Sequence, residues 1–205
     1  VLSEYLQNQL TFKNGVFNFR VFFLLSLVKN IYRGYLINYI VIHRASSDKK
    51  KLNQNQNDSE ELDTTSMISA STGQDYELKD LMDEIGKEKC KYIKQQIKHN
   101  LSYLLRIIKS QKIMKNFDTQ ENSYELFGLD FIADTDYNIK LIEFNHKTGL
   151  GDYPDELYNI LVAGYIHSTI NKLYESKYHI PIDKKIKKKI VRIKSNKNYL
   201  LNFQK

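Results

Sequence analysis

The chain of 205 residues has a single cysteine, Cys90. One thiol cannot close an internal disulfide, which excludes a disulfide-stapled scaffold and favours a reducing, intracellular setting. Long apolar runs are missing too. The longest, Val21 to Val28, falls far short of the ~20 residues that a membrane-spanning helix needs. There is no Gly-x-Gly-x-x-Gly, no Walker A loop, no Cys-x-x-Cys pair, no His-Glu-x-x-His and no Gly-x-Ser-x-Gly. Dinucleotide-binding, P-loop, zinc and serine-hydrolase chemistries therefore have no support. No signal peptide is visible, and an opening on Val1 reads as a chain that lacks an N-terminal part.

What is present is enough apolar residue for one sizeable core. The net charge is +7, and Lys184, Lys185, Lys187, Lys188, Lys189, Arg192, Lys194 and Lys197 outweigh it. The basic character therefore belongs to one C-terminal segment, and the rest of the chain is close to neutral.

The most informative stretch is Tyr124 to Leu150, YELFGLDFIADTDYNIKLIEFNHKTGL. It reads as two strands, about 124–133 and 139–145, joined by the turn-forming run Asp134 to Asn138. Both strands read as buried on two faces. Folded about its midpoint, the hairpin sets Asp134 opposite Ile139 and Asp130 opposite Glu143. Asn145 falls beside Glu143 on the same face by the period of two. Opposed Cβ atoms lie about 4.5–5.5 Å apart. Two carboxylates so placed repel unless one neutralises or a cation joins them. Two carboxylates and an amide oxygen suit Mg²⁺, so Asp130, Glu143 and Asn145 are the candidate metal ligands.

The remaining segments frame this hairpin. Phe12 to Val28 reads as a turn at Asn14-Gly15 and a long strand, in which Arg20 is the one charge after Val16. A guanidinium there must be paired or face an anion. Tyr35 to His43 is a further strand, with Arg44 at its end; His43 reads as a packed strand residue. Residues 45–75 are polar and close to low complexity, which predicts a mobile loop. From Tyr76 to Lys112 apolar residues recur at helical spacing, with Gly86 as a break between two helices on one side of the sheet. Pro154, Asp155 and Glu156 open another helix, and His167 reads as an interface residue. Ile186, Ile190 and Ile193 between lysines predict an amphipathic basic helix. It is either a solvated terminal helix or a docking site for an acidic partner; nucleic acid or an anionic membrane surface is an alternative ligand.

The Gly-x-Asp-x-x-x-Asp strand, the short turn and the strand ending Glu-x-Asn resemble the closing hairpin of ATP-grasp ligases. YELFGLDFIAD with IKLIEFN is most similar to the tubulin–tyrosine ligase family, including its polyglutamylase and polyglycylase relatives. His146, Lys147 and Thr148 depart from the family's small-residue-and-proline pattern after the Asn. The resemblance implies an α+β fold, an ATP-grasp-like antiparallel sheet with packed helices. It implies ATP and Mg²⁺ as cofactors, with Asp130, Glu143 and Asn145 on the metal and Arg20 and Arg44 on phosphate. Glu4, Tyr5 and Leu6 match the link that holds adenine. The implied reaction joins an amino acid to a protein carboxylate through an acyl-phosphate, with tubulin as acceptor, in the cytoplasm and at microtubules. The family's phosphate-holding lysines would lie upstream of Val1. Residues 1–180 then form the catalytic region and 181–205 a basic appendage. Two other readings stay open: a degenerate binding module that docks an acidic protein, and an ATP-grasp ligase with another substrate.

Overall fold

The computed structural model describes residues 6–48, 74–111, 122–146, 148, 153–174 and 179–195. Glu4, Tyr5 and the segment 49–73 lie outside these residues. The fold is α+β. Seven strands form a largely antiparallel sheet. In chain order they are β1 (Thr11–Phe12), β2 (Gly15–Val28), β3 (Ile31–Asp48), β4 (Gln74–Glu77), β5 (Ser123–Ala133), β6 (Ile139–Asn145) and β7 (Ile190–Ile193). Neighbours run β4-β3-β2-β5-β6, while β1 pairs with β2 and β7 with β3. The long strands form where the sequence is richest in Val, Ile, Leu and Phe, and all of β2 except Arg20 is buried.

Two tight turns set the first registers. Lys13 and Asn14, then Lys29 and Asn30, all have positive φ (48°, 62°, 53° and 58°), the pattern of two-residue hairpin turns. The first turn is thus one residue earlier than Asn14-Gly15. Gly15 is already in β2, and its need for glycine is steric. A Cβ there would lie 2.7 Å from Arg44 Nε.

Contacts divide the chain into two compact units. The first comprises Val1–Arg20, Ile40–Gln96 and Leu129–Glu143. Its aromatic cluster joins Phe12 edge-on to Tyr76 (5.1 Å) and to Phe17 (6.1 Å), and Phe17 to Phe19 (5.1 Å). The segment read as helical from Tyr76 begins instead as β4, paired with β3 from Val41 to Arg44. Helix α1 (Leu78–Ile85) follows, its start held by Glu77 N–H donating to Asp80 (2.8 Å). Gly86, at φ 92°, separates it from α2 (Lys87–Gln111). In this unit α2 fastens the β5–β6 turn. Lys89 donates to the Tyr137 hydroxyl (2.7 Å), and Gln96 donates to the Tyr137 carbonyl (2.7 Å) while accepting from Ile139 N–H (3.2 Å).

The second unit comprises Val21–Tyr39, Ile97–Gly128 and Phe144–Lys205. Here the sheet is covered on both faces. Beneath α2, a Cβ on Gly34 would meet the Phe23 ring at 2.8 Å and Leu105 at 3.1 Å. On the other face, Gly164 of α3 (Asp155–Tyr165) comes within 3.2 Å of Ile37 and 3.4 Å of Leu24 by the same measure. A π-helical turn, Ile166–Ile170, and the short α4 (Asn171–Leu173) continue from α3. The basic segment differs from the helix its spacing predicts. Helix α5 spans only Lys184–Lys188, capped by Asp183, which accepts from Lys185 and Ile186 N–H. Ile190-Val191-Arg192-Ile193 then pairs with β3 as β7, and Ile190 and Ile193 are buried. The β-branched run prefers the pleated edge that β3 offers, and burying two isoleucines there outweighs the continuation of a mostly charged helix.

Candidate functional site

Arg20 and Asp130 meet across β2 and β5. The guanidinium donates through Nε to Oδ1 (2.6 Å) and through Nη2 to Oδ2 (2.8 Å). Asp130 is 2% exposed and the arginine side chain 16%. This is a two-pronged, charge-assisted pair in a mostly buried setting. The arginine in an apolar strand thus finds the anion it needs in a residue far along the chain.

The face on which Asp130 stands follows from ring contacts. Phe23 stacks with Phe127 (6.4 Å) and Phe127 with Phe144 (4.6 Å), so these three side chains share one face. By the strand period of two, Asp130 on β5 and Glu143 on β6 both fall on the other. The hairpin does not close where the sequence sets it. Asp134 N–H donates to the Asn138 carbonyl (2.9 Å), and Tyr137 has φ 65°. This moves the pairing at the turn by one residue from Asp134–Ile139.

Strand β6 is not buried on two faces as its apolar sequence suggests. It is the sheet's edge, and Leu141, Ile142 and Phe144 are 39–43% exposed. Glu143 is half-buried and makes no hydrogen bond or ion pair among the described residues. Asn145 ends β6 and is also half-buried.

Arg44 stands elsewhere. It donates to the Phe12 carbonyl from Nε (3.1 Å) and to the Lys13 carbonyl from Nη2 (2.8 Å), bracing the first hairpin turn. It lies against Gly15, whose face is that of Phe17 and Phe19 and opposite that of Arg20. Leu6 is half-buried and outside any strand. His43 pairs with Asp75 (2.6 Å) in a partly exposed contact. His167 packs edge-on against Tyr35 (5.8 Å), and burial first, then Lys172, Lys187, Arg192 and His179, hold its pKa below the ordinary value.

One residue escapes the sequence reading. Asn18 is on the face of Arg20, two positions earlier, is 5% exposed, and its Oδ1 has no hydrogen-bond partner. An unpartnered buried amide costs about 1–3 kcal/mol, so it marks a place where a polar ligand or water belongs. The signal was a lone amide in an apolar strand.

The donor set on this face is all oxygen: the buried Asp130 carboxylate and the half-buried Glu143 carboxylate, which has no hydrogen bond or ion pair among the described residues. That chemistry fits a hard divalent cation. The tubulin-tyrosine ligase family matches over residues 1–188. The chain belongs to that family. No curated protein matches it. Tubulin-tyrosine ligase family members are ATP-grasp ligases that generally use ATP and Mg²⁺ and generally act on tubulin. No described helix is long and apolar enough to cross a membrane.

Proposed function

We propose that this member of the tubulin-tyrosine ligase family is an ATP-dependent carboxylate–amine ligase that adds tyrosine, glutamate or glycine to a protein, with tubulin as the acceptor. The observation that carries the reading is the buried Arg20–Asp130 fork on the same sheet face as Glu143, which has no hydrogen bond or ion pair among the described residues. A cation and a triphosphate need such a mixture of acid and base. Asp130, Glu143 and Asn145 would hold Mg²⁺, which when bound would neutralise phosphate charge. Arg20 would steady the migrating phosphoryl group. Glu4, Tyr5 and Leu6 would line adenine. Arg44, engaged with turn carbonyls on the opposite face, has no part in this reading.

The acceptor carboxylate attacks the γ-phosphorus and the bond to ADP breaks. The amine of the incoming amino acid then attacks the resulting acyl-phosphate and expels phosphate. No protein nucleophile is needed. What the chain supplies is alignment and charge.

Titration with ATP, with and without Mg²⁺, tests this. Mg²⁺-dependent binding is expected, and Glu143→Gln should lower it at least tenfold, about 1.4 kcal/mol. Mass spectrometry of tubulin incubated with the protein, ATP and single amino acids should then show one added residue. Nucleotide binding that ignores both Mg²⁺ and Glu143 would refute the site.

A second reading, a module that docks acidic proteins, is favoured by the exposed lysines of α5. Partner binding that depends on these lysines and is indifferent to ATP would mark it.

A further inference from the structure

The Arg20–Asp130 fork presents a conflict. Both oxygens of a carboxylate suited to a cation already accept from a guanidinium. A buried carboxylate at 2% exposure has to be compensated at all times. A guanidinium and a divalent cation on the same two oxygens repel each other, and the repulsion is strong where water is scarce. The two therefore compete.

We propose that Arg20 is the resident counter-ion of Asp130, released from it when a divalent cation loads and redirected to the phosphate oxygens of the nucleotide. The proposal rests on the ligase reading above. The side chain has the means to move, with a long flexible stem and a guanidinium partly open to solvent at 16%. Glu143, on the same face, makes no competing bond among the described residues, so a cation meets one carboxylate that is available and one that must be vacated.

Linkage sets the consequence. Whatever the fork contributes to the metal-free fold is lost from metal affinity. A nucleotide gives Arg20 a second anion, so its phosphates recover that loss. Metal and nucleotide should then bind with positive coupling, each weakly alone and tightly together. Removing Arg20 should weaken that coupling, leaving the direct attraction between cation and phosphate.

Mn²⁺ binding followed by electron paramagnetic resonance, with and without a non-hydrolysable ATP analogue, tests this on the full chain. In the wild type the analogue should tighten Mn²⁺ tenfold or more. In Arg20→Gln, Mn²⁺ affinity without nucleotide should rise about tenfold, and the further gain from the analogue should be smaller than in the wild type. The melting temperature of Arg20→Gln should be lower than wild type without metal and should rise more on adding Mn²⁺. Arg20→Lys, which keeps the charge but not the fork, should fall between the two and decides the matter if the glutamine variant does not fold. Nucleotide-free Mn²⁺ affinity that is unchanged or weaker in both variants, with Asp130→Asn abolishing binding, would overturn the counter-ion role and leave the ligase reading standing. Failure of Mn²⁺ to bind any of these proteins, with or without the analogue, would overturn both.

Discussion

At the scale of single residues, Asp130 is the group on which most depends. Its carboxylate is buried, and one arginine holds both oxygens. Asp130→Ala should therefore lower stability by roughly 3–5 kcal/mol, because it strands a largely buried guanidinium. Pairing Arg20→Met with Asp130→Leu should cost far less, since an apolar pair of similar bulk leaves no charge behind. Urea denaturation of the wild type, Arg20→Met, Asp130→Leu and the double variant measures the cycle, and equal losses in the single and double variants would refute the interpretation. Asp130 and Glu143 were legible in the sequence because two acids stand out in apolar strands at a hairpin spacing. Arg20 was legible as a charge in need of an anion, but which anion was not, because strand order fixes the pairing and residues 110 positions apart carry no local signal. Arg44 illustrates the limit. Its place at a strand end suggested phosphate, while the bonds it makes to the Phe12 and Lys13 carbonyls depend on which turn the strand pairing brings beside it.

At the scale of elements, the strands and the break at Gly86 were legible because apolar periodicity and glycine act locally. The basic segment was misread because its isoleucines satisfy a helical spacing as well as a short strand, and only β3 as a partner decides between them. One consequence of that pairing is electrostatic. Arg192 of β7 lies with its guanidinium 5.4 Å from the centre of the Tyr35 ring, and His167 of the π-helical turn packs edge-on against the same ring. Burial and the cations Lys172, Lys187, Arg192 and His179 lower the His167 pKa from 6.5. The unfolded chain then binds a proton that the folded chain refuses, so stability falls as pH drops through 6.5 and levels out below the lowered folded value. His167→Phe keeps a ring against Tyr35 and removes the titration. Its urea midpoint should fall less than that of the wild type between neutral and mildly acid pH. Parallel curves for the two proteins would show that His167 does not contribute to the acid sensitivity.

At the scale of the whole molecule, the excess positive charge and the fold share one C-terminal stretch, and they can be separated. Lys184, Lys185, Lys187 and Lys188 are exposed, whereas Ile190 and Ile193 are buried against β3. Exposed surface charges contribute little to stability, typically within about 0.5 kcal/mol, while each buried isoleucine contributes about 1.5–3 kcal/mol. Changing the four lysines to glutamine should leave the melting temperature nearly unchanged. If the stretch docks acidic partners, the same change should weaken binding to a glutamate-rich peptide and flatten its dependence on salt. Ending the chain at Asp183 should instead destabilise the protein markedly, because it removes β7 and leaves β3 from Gly34 to Ile37 without that neighbour. An end at 183 that melts like the full chain would mean that β7 adds nothing to the sheet. Peptide binding unaffected by the four substitutions would place any acidic partner on another surface.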